Sequence, residues 1–164
     1  MGATYRPSRN IEATLIEFLE AQLASGGWSV SVEKGYARVY GIATPVICVR
    51  VEATDHEPIE IGSRTTKRIA LVTLDLFCSN DGQRLDLKDF LVSILKDGCT
   101  YYKFVTATTG RSTAVSTRTA DGKLVVLKIE DAPVEFETQK SDLVPHDRYR
   151  HRLSVSINKT AVEE

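Results

Sequence analysis

The stretch KRIALVTLDLFCSNDGQRLDLKDFLVSIL, from Lys67 to Leu95, decides the fold. Residues 69–78 are almost entirely apolar, which is typical of a strand buried on both faces of a sheet. Asn80 can cap a helix, and Gln83 three residues later fits a capping-box variant. The following residues repeat apolar side chains at helical spacing. The stretch therefore predicts a central β-strand that leads directly into an amphipathic helix.

A second amphipathic helix and several strands surround this unit. Apolar residues from Ile11 to Leu23 recur at helical spacing, and Gly26-Gly27 follows them as a stop signal. Residues 45–51 and 148–158 show strand patterns. In residues 148–158, apolar side chains alternate with polar ones, which indicates one buried face. We expect an α+β fold, with a mixed, mainly antiparallel β-sheet packed by two amphipathic α-helices.

Size and composition favour one globular domain over residues 1–164. The chain is 42% hydrophobic and 26% charged, with a net charge of −1, so no overall positive field draws it to nucleic acid or to an anionic membrane. Nothing in the sequence predicts a membrane-spanning helix or a signal peptide. Three widely spaced cysteines predict reduced thiols in a cytoplasmic setting.

Four segments are expected to lie outside the central core. Residues 1–8 and 159–164 are polar and predict an N-terminal and a C-terminal tail. Residues 54–67 separate two core strands and predict a projecting loop or hairpin, a kind of segment that often carries function. Residues 112–130 predict a β-hairpin, because Asp121-Gly122 is a favoured pair for a tight type I′ turn.

The motifs tested for chemistry predict no cofactor, no metal ion and no catalytic group. Three histidines and three cysteines lack the spacing of metal ligands. His151 falls on the apolar face of the last strand, where a packed, hydrogen-bonded histidine is the expected structure. Asn80-Asp81-Gly82 begins a helix, but Asp81 would repel a phosphate, so capping is preferred to anion binding.

Two groups of charged residues are candidate interface residues. Asp75 interrupts an apolar strand; it either has a raised pKa suited to proton transfer, or faces solvent, or pairs with a basic residue at a subunit contact. Arg148, Arg150 and Arg152 occur at every second position, which places them on one face of a strand. There they can line a channel, bind phosphates, pair with acids of a neighbouring chain, or remain solvated. The projecting segment adds the candidates Glu60, Arg64, Lys67 and Arg68.

The order of elements resembles that of tail terminator proteins of tailed bacteriophages, and of the related tail-completion and head–tail joining proteins of the neck. The similar segments are Ile11–Leu19, Pro45–Val51, Asp81–Leu91 and Asp147–His151. The segment from Gly110 to Thr138 is longer than a minimal terminator requires.

This resemblance implies a structural virion protein that is not an enzyme. Such proteins form a homo-hexameric ring that caps the tail tube and joins it to the head connector. The implied partners are copies of the chain, the tail tube protein and the neck proteins, assembled in the host cytoplasm into the virion. DNA would pass through the channel without sequence-specific binding, which a near-neutral chain suits.

Three alternatives remain open at the level of sequence. The chain is an adjacent neck or head–tail adaptor protein, a small-ligand-binding or enzymatic α+β domain that uses Asp75, or an assembly factor absent from the finished particle.

Overall fold

A computed structural model describes residues 7–62, 66–109 and 113–159. The helices are α1 (Pro7–Ser25), α2 (Asp81–Leu95) and the short α3 (Pro145–Arg148), with 3₁₀ turns at Val39–Gly41 and Lys140–Asp142. The strands are β1 (Ser31–Lys34), β2 (Val46–Pro58), β3 (Thr66–Cys78), β4 (Cys99–Thr109), β5 (Thr113–Pro133) and β6 (Tyr149–Lys159).

The six strands form one mixed, mainly antiparallel sheet in the order β1-β2-β3-β6-β5-β4. Only β1 pairs in parallel, with β2; the other four pairings are antiparallel. β2, which begins with the apolar residues 46–49, lies between β1 and β3, and β3 lies between β2 and β6, so both are internal strands of the sheet. The predicted α+β fold is confirmed.

The main core lies between one face of this sheet and the helices α1 and α2. β3 contributes Ala70, Val72, Leu74 and Leu76 to it, and each helix contributes its apolar stripe. Asn80 caps α2 as predicted: its Oδ1 accepts the Gln83 N–H at 2.8 Å, while Gln83 Oε1 accepts the Ser79 N–H at 2.8 Å. Local sequence signals therefore fix both the start and the buried face of α2.

Helix α1 contacts strands at both ends of the sheet, which curls around it. It packs against β1 and β2 on one side and β4 on the other. Thr14 Oγ1 bonds both the N–H and the carbonyl of Tyr102 at 3.3 Å, and Asn10 accepts the Phe104 N–H at 3.3 Å. Side chains of the helix thereby bond backbone N–H and C=O groups on the outer edge of β4, which would otherwise be an open strand edge.

The predicted β-hairpin over residues 112–130 is wrong. Residues 113–133 form one continuous strand, which pairs with β4 through its first half and with β6 through its second. Asp121-Gly122 sits at an irregularity in the β4–β5 register, and Gly122 has a φ of 87°. A β-bulge uses the left-handed freedom of glycine in place of a turn.

The predicted projecting segment 54–67 is a β-hairpin. Residues 54–58 continue β2 and residues 66–67 begin β3, and the two runs pair from Thr54↔Ala70 to Pro58↔Thr66. The pairing of β3 with β6 begins only at Ile69↔Asn158, so the hairpin extends beyond the end of β6. We call residues 55–62 with 66–68 the arm.

The segments predicted as tails are shorter than expected where the structure describes them. α1 already begins at Pro7, and β6 includes Lys159. Within the described ranges, no helix combines the length and apolar character that a membrane span requires.

Candidate functional site

Asp75 sits at the centre of a buried ion cluster on the sheet face opposite α1 and α2. It pairs in register with Arg152, whose Nε donates to Asp75 Oδ1 at 2.8 Å. Arg150 Nη2 donates to Asp75 Oδ2 at 3.0 Å, and the Tyr36 hydroxyl donates to the same oxygen. The Asp75 side chain has no exposed surface. The basic partners thus belong to the same chain, not to a subunit contact.

The pKa of Asp75 is lowered rather than raised. Burial acts to raise it, but hydrogen bonds from Arg152, Tyr36 and Arg150 outweigh burial and hold the pKa below its usual range. An ionised carboxylate enclosed by two guanidinium groups is a poor proton donor or acceptor near neutral pH. The geometry therefore favours a structural role for Asp75 over proton transfer.

Aromatic rings complete this cluster around Arg150. Its guanidinium carbon lies 4.7 Å from the centre of the Phe77 ring and 5.3 Å from that of Tyr36, both within cation–π range. Arg150 retains only 11% of its side-chain exposure. The surrounding rings belong to or pack against a second, smaller core made by Val39, Val46, Cys48 and Phe77.

Arg148 does not share the strand with the other two arginines, contrary to prediction. It ends α3, and β6 starts one residue later. Its Nε donates to the Leu143 carbonyl at 3.1 Å and its Nη2 to the Ser141 carbonyl at 3.5 Å. Within the described residues no carboxylate pairs with it, so its charge is not neutralised by an acidic group.

The described candidates Glu60, Lys67 and Arg68 lie at the opposite end of β3. Glu60 is exposed in the turn of the arm, and Lys67 is exposed on its β3 strand. Arg68 is half-buried and stands opposite His56. Arg64 lies outside the described residues. The structure thus separates the described site residues into three groups: the cluster of Asp75, Arg150 and Arg152, Arg148 at the end of α3, and the residues Glu60, Lys67 and Arg68 of the arm.

The arm combines exposed apolar side chains with acidic ones. Ile59 and Ile61 are exposed at its turn, Ile61 completely. Asp55, Glu57 and Glu60 are exposed nearby, and none forms an ion pair within the part of the chain that the structure describes. These two isoleucines are the exposed large apolar side chains of the described arm, and burying them on another surface would remove apolar area from water.

A groove of about 470 Å³ lies at the other end of the molecule, between the end of β5 and the start of β6. Its apolar lining includes Phe136, Leu143 and Tyr149. Its charged lining is mixed: the bases Arg84, Lys140, Arg148 and Arg150 stand beside the acids Asp81, Glu135 and Asp147. Lys140 Nζ lies 5.1 Å from the centre of the Tyr149 ring. We call this the β6-start groove. Its apolar residues carried no recognisable motif in the sequence.

His151 is a packed, hydrogen-bonded core residue, as predicted. Its Nε2 lies 2.9 Å from Asp131 Oδ1, and its Nδ1 lies 2.8 Å from Nη1 of Arg84. Because guanidinium can only donate, Nδ1 must accept and Nε2–H must donate to Asp131. Burial, together with the nearby charges of Arg84 and Lys88, lowers the pKa of His151 in spite of the opposing effect of Asp131.

Among the described residues, no group of histidine, cysteine and acidic side chains is arranged to hold a metal ion. All three cysteines are free thiols. Burial raises the pKa of Cys48 to about 11 and that of Cys78 to about 12, so neither is a nucleophile near neutral pH.

No protein-family model matches the sequence. No curated protein matches it either. Among solved structures, the fold is similar to that of a chain from the structure described as "Virion of native gene transfer agent (GTA) particle". The two chains are 14% identical with a TM-score of 0.50, and the match covers 94% of this chain and 96% of the other. At this identity the likeness shows a shared fold.

Proposed function

We propose that this chain is a structural virion protein of a tailed phage or phage-like particle. The observation that carries the proposal is the fold shared with the chain from the gene transfer agent virion, because it runs over nearly the full length of both chains. A match of this extent involves the whole domain and not one common supersecondary motif.

Within that class, we propose a tail terminator that forms a homo-hexameric ring. The ring caps the tail tube, meets the head connector, and lets DNA pass through its channel. Two features support an assembly role: the arm presents exposed isoleucines, and the β6-start groove presents exposed apolar and basic side chains. The net charge of −1 also suits a conduit that DNA must cross without being held.

The decisive experiment locates the chain in particles. Mass spectrometry of purified virions should find it at a fixed copy number relative to the tail tube protein, and electron cryo-microscopy should place a ring of it at the head-proximal end of the tube. Absence from finished particles would instead indicate an assembly factor, and a ring next to the portal would indicate a neck or head–tail adaptor protein.

An enzymatic or ligand-binding domain centred on Asp75 is the weaker candidate. Such a site requires a carboxylate that a substrate can reach, whereas Asp75 is fully buried and bound by two arginines and a tyrosine. Opening this cluster to a ligand would break a buried ion pair, which costs several kcal/mol.

A further inference from the structure

We propose that the arm of one copy inserts its tip, residues 57–61, into the β6-start groove of a second copy. This inference rests on the proposed function and deepens it, since it names the two surfaces that join neighbouring subunits of the ring. Each surface is incomplete without the other: the tip exposes apolar side chains that need cover, and the groove provides apolar walls.

The tip has exposed apolar and acidic side chains that could bind in such a groove. Ile59 is 50% exposed and Ile61 fully exposed, so both gain by burial on a partner. Glu57 and Glu60 flank them, and neither has an ion-pair partner within the described ranges. The tip is therefore an apolar wedge with two acids, of which Glu57 has the exposed Lys67 as its cross-strand neighbour.

The groove carries the complementary chemistry. Phe136 and Val144 are exposed, Phe136 within the lining and Val144 directly after the lining residue Leu143. The charged residues of the lining are the bases Arg84, Lys140, Arg148 and Arg150 and the acids Asp81, Glu135 and Asp147, so the groove has a net charge of +1. Asp81 pairs with Arg84 and Asp147 with Arg150, whereas Lys140, Arg148 and Glu135 form no ion pair among the described residues. The groove is therefore weakly positive, opposite in sign to the two acids of the tip. Its volume of about 470 Å³ falls in the range of sites that bury small ligands, enough for two isoleucine side chains.

One chain cannot fill its own groove. The arm joins β3 at Thr66, whereas the groove residue Tyr149 pairs with Cys78 at the other end of the same strand. Cys78 is twelve positions after Thr66 on the same strand, a distance of roughly 40 Å at about 3.3 Å per residue. The contact must therefore join different copies through two different surfaces. Such head-to-tail contacts form rings when the rotation closes.

A competing contact is the symmetric pairing of two copies along the outer edge of β2. Beyond Val51, whose N–H bonds Glu12 at 3.5 Å, no strand of the described chain pairs with the outer edge of β2. A second copy could in principle add to this edge symmetrically. However, such a pairing would bring the acids Glu52, Asp55 and Glu57 of two copies close together along one strand pair, and like charges on neighbouring strands are destabilising.

Photo-cross-linking tests the contact directly. The full chain, with benzoylphenylalanine in place of Ile61, is irradiated both as purified protein at high concentration and in assembled particles. We expect a dimeric adduct that joins position 61 to a peptide within residues 133–149. Adducts elsewhere on the chain, adducts only with another protein, or no dimeric adduct in either sample would overturn the proposal.

Charge exchange provides the second test. Glu57→Lys/Glu60→Lys and, separately, Lys140→Glu/Arg148→Glu should each weaken self-association by at least about tenfold in sedimentation equilibrium. Combining all four substitutions should restore it, because the charges are again complementary. Since Arg148 also holds two loop carbonyls, Lys140→Glu alone serves as a milder form of the groove variant.

A matched control separates a specific contact from a change of net charge. Glu20→Lys/Asp86→Lys alters the charge equally at two exposed helical positions away from the arm and the groove, and should leave association unchanged. Equal weakening by this control, or failure of the fourfold variant to recover, would contradict the proposal. A chain found in virions whose Ile61 adducts lead to another protein would refute this contact while leaving the virion role intact.

Discussion

Replacing Asp75 by Asn should strongly destabilise the fold. Asn keeps the size of the side chain and one acceptor oxygen, but it removes the negative charge that two arginines and Tyr36 surround. Arg150, with 11% of its side chain exposed, would remain a buried cation without its main partner. The Arg152 side chain is 44% exposed and can be hydrated by solvent, so the loss of the Asp75 charge costs less at Arg152 than at Arg150.

The magnitude follows from the burial of the pair. Removing one member of a buried ion pair costs about 3–5 kcal/mol, and the oxygen that Asn retains places this case near about 3 kcal/mol. That is a large part of the roughly 5–15 kcal/mol that stabilises a typical domain. With a urea m-value of about 2 kcal/mol per molar, the midpoint should fall by about 1.5 M.

Urea unfolding followed by Trp28 fluorescence and by circular dichroism measures this shift. Asp89→Asn is the matched control, because Asp89 pairs with Lys88 at 3.1 Å but is 75% exposed; it should cost at most about 1 kcal/mol. A midpoint for Asp75→Asn within about 0.3 M of the unsubstituted chain, with an unchanged m-value, would refute the structural role of the cluster.

Three further substitutions test other parts of the fold. Gly98→Ala should cost about 2 kcal/mol or more and lower the melting temperature, because Gly98 has a φ of 70° and an added Cβ would lie 2.2 Å from the Leu124 carbonyl oxygen. Asn80→Ala should cost about 1 kcal/mol in urea unfolding through loss of the bond to Gln83 N–H. In the unsubstituted chain, the pKa of His151 is lower in the folded state than in the unfolded state, so below about pH 6.5 the unfolded state binds a proton more readily and stability falls as pH drops. His151→Gln should remove this contribution and flatten the pH dependence of stability in that range. An unchanged slope between pH 7 and pH 5, determined from urea midpoints, would contradict this role of His151.

Faces of individual elements could be predicted from the sequence. Alternation in β3 separates Val72 and Leu74 on the helix side from Thr73 and Asp75 on the other, as the structure has them. In β6, His151 falls on the core side by the same rule. These assignments succeed because side-chain direction in a strand depends only on the local backbone period of two.

Pairings between distant segments could not be predicted in this way. The β5 strand is the clearest case, since Asp121-Gly122 has the composition of a tight turn and the structure uses it as a bulge. A glycine with positive φ can form part of a tight turn or of a bulge within one strand, and the strands that pair on either side decide between the two. For β5 these are β4 and β6, whose positions are fixed by the whole sheet.

The sequence by itself determined that this chain forms an α+β domain, that it has two long amphipathic helices, where α2 begins, and which strand faces are apolar, because periodicity and capping act over a few residues. Only the tertiary structure decided that Asp75 meets Arg150 and Arg152, and that the arm and the β6-start groove lie at opposite ends of β3. The physical reason is register: a shift of β6 against β3 by two residues would keep every apolar face and lose the ion cluster. Long-range packing of the complete core, and not any local preference, selects the register that is observed.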